Sequence, residues 1–320
     1  MIEMMADRYL SLLAGPLRRS LLIFNVLGVC LAPGLLLAAD SSTGTVRYRK
    51  VLEISESMRL PTDVALDAEG RMYVLDGTAN MVRVFDGLGT PLFTLGGEGT
   101  LDQPLGIDVS DAGEVLVADS GNHRVAIFPP EERVPGYIDL PPLTEGKEAD
   151  PTDLHYSPDY KTIITVDNDN HRMMAVDREG ELIWSHGGMG RNPGEFRFPF
   201  MVDMDHDGNI YVVEVINTRV QVLNPDGTFK QFIGEWGIEP GQFFRPKGIA
   251  VSDQGEVFVS DSYLGVVQIF DQIGNFLGVV ADEDGKLFKF TTPMGMAASE
   301  DRLLVVEMYT NRLLVMERQR

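Results

Sequence analysis

The stretch QPLGIDVSDAGEVLVADSGNHRVAIF, residues 103–128 of a 320-residue chain, decides the fold. From Gln103 to Val109 apolar side chains alternate with small or polar ones, the two-residue period of a strand. Ser110-Asp111-Ala112-Gly113 reads as a turn, with glycine available for a positive φ. Residues 114–119 form a second strand, almost continuously apolar, as expected when both faces are covered. Ser120-Gly121-Asn122-His123 turns again, and residues 124–128 make a third strand. A fourth, outer strand is weak at residues 137–140 and clearer in a later copy, at Phe229–Ile233.

The same order of residues recurs six times. A proline opens each copy, at Pro61, Pro104, Pro151, Pro199, Pro246 and Pro293, in steps of 43, 47, 48, 47 and 47 residues. An acid closes each second strand, at Asp76, Asp119, Asp167, Glu214, Asp261 and Glu307, in steps of 43, 48, 47, 47 and 46. Two independent markers on one period, about 40–50 residues, signal blade-by-blade repetition. No copy has the 3.6-residue period of a helical repeat, and four antiparallel strands per copy make a propeller blade. The expected fold is all-β: a six-bladed β-propeller of four-stranded antiparallel blades over residues 40–320. The last copy ends at its third strand, residues 312–316, while residues 46–54 form a strand with no copy of its own. That strand is expected to close the ring as the missing outer strand, which removes exposed sheet edges.

The N-terminal 39 residues read differently. Arg18 and Arg19 precede an apolar run from Leu21 to Leu37, followed by Ala38-Ala39-Asp40. This hydrophobic helix reads as a secretory signal or, extended through Ala39, as a membrane anchor. Either places the propeller outside the cytoplasm, exported or periplasmic, with membrane contact only through residues 21–39. Cys30 is the single cysteine, so residues 40–320 hold no disulfide, thiolate metal site or cysteine nucleophile. The formal charge is −21, and −22 without residues 1–39. Such a field repels phosphate backbones, and no basic patch offsets it, so nucleic acid is not an expected partner.

The copies resemble NHL repeats, as in Val117-Ala118-Asp119-Ser120-Gly121-Asn122-His123-Arg124 and Val166-Asp167-Asn168-Asp169-Asn170-His171-Arg172. The linkers GGMGRNPGEFRFP, residues 187–199, and GEWGIEPGQFFRP, residues 234–246, resemble that family too. The resemblance implies the propeller fold. Its members include lyases, lactonase-like relatives, sensor domains and interaction modules, so fold leaves function open.

Several residues are candidates for chemistry. The six acids could attract cations, or they could accept hydrogen bonds locally and pair with Arg124, Arg172, Arg219 and Arg312, each five residues on; the second, scaffolding role is the expected one. Asp203-Met204-Asp205-His206-Asp207-Gly208 through Glu214 matches the spacing of a calcium loop. A strand over residues 209–214 would carry Glu214 roughly 17 Å from the turn. That leaves Asp203, Asp205 and Asp207 as a shorter calcium hairpin, with no other cofactor expected. Of five histidines, His123 and His171 share one loop slot in adjacent copies, and His155 alone is placed to face the axis. In the first and fifth copies the Asn-His-Arg slot is broken, putting Met81, Tyr263 and Leu264 on the loop face near Trp236. The expected function is therefore a non-catalytic scaffold in the cell envelope. It would present Arg124, Arg172, Arg219, His123, His171, Tyr263, Leu264 and Trp236 to a protein with a cationic or apolar patch. The alternative is a metal-dependent lyase or lactonase-like hydrolase acting in the central channel, favoured if carboxylate, amide or histidine side chains converge on the axis.

Overall fold

The computed structural model describes residues 44–319 except 57 and 131; the expected N-terminal helix, signal or anchor lies outside the described residues. Among the described residues there are 24 strands, and the one helical element is the three-residue 3-10 turn Ser120–Asn122. Four sheets hold four antiparallel strands each, in chain order. The remaining sheet has eight strands. It joins the four strands of the fifth copy to the three of the sixth through Thr45–Ile54.

The closing strand thus does what its position demanded. Tyr48 pairs with Arg318 and Ile54 with Leu313, antiparallel. Its first three residues also pair in parallel with the outer strand of the fifth copy, Thr45 opposite Val279 and Arg47 opposite Ala281. Six separate sheets were the expectation, and five are found. The physical reason is length: residues 48–54 pair with the sixth copy, and the three residues ahead of them reach the outer strand of the fifth and fuse the two.

The first strands of the copies, Pro61–Leu66, Ile107–Val109, Pro151–Tyr156, Pro199–Met204, Pro246–Val251 and Pro293–Ala298, touch in succession, and the last touches the first. These inner strands surround the channel. In the second copy the inner strand begins at Ile107, later than the alternation suggests. The second strands are buried along their whole length in the first, second, fourth and fifth copies. Their apolar side chains pack between adjacent sheets, as Leu75 and Val84 do with Val117 and Phe128, and Val166 and Met173 with Val212 and Leu223.

At the proline end each blade is fastened by its acid. Asp167 accepts the Asp150 amide at 2.9 Å, the Asn170 side chain and Arg172 Nε at 2.7 Å. Asp119 repeats this with the Asp102 amide, Asn122 and Arg124, and Glu214 with the Arg197 amide, Asn217 and Arg219. The residue after the Asn slot turns through the left-handed region in every copy: Asn80, His123, His171, Thr218, Gly265 and Asn311 have φ of 53–65°. Asn and His tolerate that region better than most side chains do.

Asp167 is fully buried and Arg172 is 5% exposed, so this pair has little solvent to fall back on. Asp167→Ala is expected to cost about 3–5 kcal/mol, since it strands a buried guanidinium and an amide. The urea midpoint measures it, and a loss below about 1 kcal/mol would contradict the clamp.

Candidate active site

At the end where the inner strands finish, the channel opens into a cavity of about 660 Å³ lined by all six inner strands. Its wall carries eight aspartates against Arg302, His155 and His206. Four of these aspartates come from consecutive inner strands, and each reaches to the next copy. Asp63 accepts the Ile107 amide at 3.1 Å, Asp108 that of Tyr156 at 2.8 Å, Asp153 that of Val202 at 2.8 Å, and Asp203 that of Val251 at 2.7 Å.

Two of them have room only because glycine stands opposite. A Cβ on Gly106 would lie 2.5 Å from Asp153 Cα, and one on Gly295 the same distance from Asp63 Cα. Asp63 is 5% exposed and Asp153 is 4% exposed. Burial, aided by the charges of Asp203 and Asp108, pushes the Asp63 carboxyl up to about 8 against the amides that hold it. Burial and then the neighbouring Asp63 charge raise Asp153 likewise. Two like charges in low dielectric cannot both ionise cheaply, so the pair holds a proton near neutral pH.

His155 sits between the other two carboxylates. Its Nε2 is 2.9 Å from Asp203 Oδ1, and its Nδ1 is 2.7 Å from the Tyr156 carbonyl and 3.5 Å from Asp108 Oδ2. Burial alone would lower its pKa, but Asp108 and Asp203 outweigh burial and bring it to about 10. Both ring nitrogens therefore donate, and the side chain is an imidazolium.

Among the described residues no three His, Cys, Asp or Glu side chains gather to hold an ion. The calcium hairpin is not brought together. Asp203 faces His155 in the channel, and Asp205 turns inward to the Asn209 amide and the Tyr211 hydroxyl. Asp207 is exposed on the turn.

The loop-face candidates lie at the other end, and their polar atoms are engaged within the fold. Arg124 stacks on Tyr137 at 3.5 Å and donates to the Thr100 carbonyl. Arg172 reaches Ser185 and the Pro141 carbonyl; Arg219 reaches the Arg191 carbonyl and covers Phe232. His123 Nδ1 is 2.7 Å from the Ala149 carbonyl, and His171 Nδ1 accepts the Phe198 amide. Tyr263 lies against Phe244 with ring centres 4.3 Å apart and is 47% exposed, Leu264 is half-buried, and Trp236 is 69% exposed.

A family model described as NHL repeat matches residues 101–128. The chain carries an NHL repeat within a propeller. No curated protein sequence matches it. A solved gluconolactonase from Xanthomonas campestris is 13% identical with a TM-score of 0.64, covering 88% of this chain and 99% of its own. A streptogramin B lyase structure gives 11% identity and a TM-score of 0.62, covering 85% of this chain and 97% of its own. A virginiamycin B lyase from Staphylococcus aureus gives 11%, 0.61, 85% and 99%. At these identities the likeness speaks for the fold.

These findings correct the expected non-catalytic scaffold. The three structures just named are enzymes by their titles, and this propeller gathers perturbed titratable groups in the channel while its loop-face arginines bond within the blades. The residues missed from sequence are Asp63, Asp108 and Asp153. Their signal was an acid within an otherwise apolar inner strand in consecutive copies, two residues after Pro61 and Pro151 and four after Pro104 and Pro199.

The raised Asp63 pKa has a measurable consequence. Between about pH 4 and 8 the native state keeps a proton that the unfolded chain has released, so stability falls as pH rises through that window. Urea midpoints across this range are expected to decline, and Asp63→Asn is expected to flatten the slope; an unchanged slope would refute the assignment.

Proposed function

We propose that this propeller is an acid–base enzyme that opens a small cyclic ester, a lactone, in the channel cavity. The observation that carries the reading is the buried carboxyl pair Asp63–Asp153 beside the His155 imidazolium in a cavity of about 660 Å³. Support comes from the fold shared with a gluconolactonase and with streptogramin lyases. We also read the eight-stranded sheet as two blades sharing an edge, six in all, and residues 1–39 as the export segment.

In the reaction the Asp153 carboxylate takes a proton from water while the water oxygen bonds to the lactone carbonyl carbon. The ring C–O bond breaks, and the Asp63 carboxylic acid protonates the departing alkoxide. The products together are the lactone plus one water, a hydroxy acid. A proton passing from Asp153 to Asp63 restores the pair. The His155 imidazolium supplies positive charge to the oxyanion that develops on the carbonyl oxygen. Eight wall aspartates accept a neutral ring and repel the carboxylate product, which favours release.

Purified protein assayed on a panel of lactones should release acid. Asp63→Asn and Asp153→Asn should each lower kcat/KM by about 10²–10⁴ with the fold intact by circular dichroism. Product mass separates hydrolysis, which adds a water, from elimination, which does not. Turnover unaffected by either substitution would reject the reading.

A further inference from the structure

The proline end of the channel carries cations beside the blade acids. Arg59, Arg197 and Arg245 stand one or two residues ahead of strand-opening prolines, and Lys247 follows Pro246 directly. Lys247 lies in an inner strand and is 4% exposed. Its Nζ is 4.9 Å over the ring of Phe200, which holds the same position in the neighbouring inner strand. Among the described residues Nζ has no hydrogen-bond acceptor and no carboxylate partner. The charged group near it is another cation, Arg245; burial first, and then that charge, lower its pKa to about 8. A lysine so placed remains largely protonated at neutral pH, and a buried charge left without a partner is unfavourable.

Two more donors at this end are left over. Thr62 Oγ1 and Arg197 Nε are buried without a hydrogen-bond partner among the described residues. Thr62 follows Pro61 as Lys247 follows Pro246, so the two stand at one level of the ring of inner strands. Thr152, at the same level, already donates to the Phe200 carbonyl at 2.8 Å. Phe200, Met294 and Thr152 are all at most 5% exposed. The residues at this level are thus largely apolar, with Lys247 the cation among them. A water could satisfy Thr62, but it could not neutralise Lys247.

We propose that the proline end of the channel binds a small monovalent anion, a halide or a carboxylate, with Lys247 as its charge partner and Thr62 as a hydrogen-bond donor. The apolar rim and near-complete burial exclude a hydrated divalent anion. This site is separate from the aspartate cavity and does not depend on the activity assigned there.

The test is thermal unfolding of the full protein at constant ionic strength, with sodium chloride or sodium formate replacing sodium sulfate stepwise, in wild type and in Lys247→Met. General salt effects act on both proteins alike, so the readout is the difference between them. Tm of the wild type should climb with the logarithm of chloride or formate concentration, while that of Lys247→Met stays level. Whichever salt acts at lower concentration identifies the halide or the carboxylate as the preferred anion. Lys247→Met removes a buried unpaired charge and should fold at least as stably in sulfate alone. Thr62→Val should weaken the apparent affinity roughly 2- to 10-fold. Crystals grown in bromide should show an anomalous peak beside Lys247 Nζ. Equal slopes in wild type and Lys247→Met, or no slope in either, would overturn the proposal. A bromide peak without the stability difference marks an adventitious ion only, and overturns it as well.

Discussion

A carboxylate that accepts a backbone amide from a neighbouring segment is the interaction on which this propeller depends. It is used in two places. At the proline end, an acid such as Asp167 holds the lead-in to its own blade and the arginine of the third strand. In the channel, Asp63, Asp108, Asp153 and Asp203 each hold the inner strand of the next copy. The amides that these carboxylates satisfy would otherwise be buried donors without acceptors, at a cost of about 1–3 kcal/mol each. The four channel ties run from the first copy to the fifth and then stop. Ala250 and Ala297 stand where Asp108 and Asp203 would be. From the fifth copy to the sixth the fused eight-stranded sheet takes over, and the sixth is joined to the first by Asn311 on the Leu60 amide and by packing of Val306 and Val315 on Val64 and Met72.

The same side chains that register the blades therefore shape the cavity electrostatics. Asp63 and Asp153 are buried where they reach a neighbouring strand, Asp108 and Asp203 half-buried, and burial is what raises Asp63 and Asp153. His155 resolves the crowding on one side by placing a cation between Asp108 and Asp203. On the other side no cation intervenes between Asp63 and Asp153, and a proton takes that role instead. The imidazolium thus stands on one side of the ring of strands and the carboxyl pair that holds a proton on the other.

The architecture was legible because its markers are punctual: a proline at the start of an inner strand, an acid at the end of the next, both on one period. Pairs such as Pro151 with Asp167 and Pro199 with Glu214 sit opposite each other as that period requires. Strand Phe229–Ile233 and the closing strand were readable from alternation alone. The fusion of two sheets was not, because nothing in Thr45–Arg47 distinguishes a strand with one bonded edge from a strand with two. The channel chemistry was partly legible. His155 was placed on the axis by the inner-strand pattern, but Asp63 and Asp153 read as ordinary polar alternations. Their significance depends on Gly106 and Gly295, in other copies, leaving the space they fill. The surroundings of the loop-face arginines were not legible for a related reason: exposure cannot be read from a motif, and Arg172 bonds to the carbonyl of Pro141, 31 residues away.

The ring is locked by its two most distant strands, Thr45–Ile54 and Arg312–Arg318. Of the described strands the former is made before all the others and the latter after them, so the former must wait for its antiparallel partner. Every intermediate before that moment carries an unpaired edge on the nascent chain, which makes the pairing of these two strands the arbiter of whether the ring circularises or sticks to a neighbour.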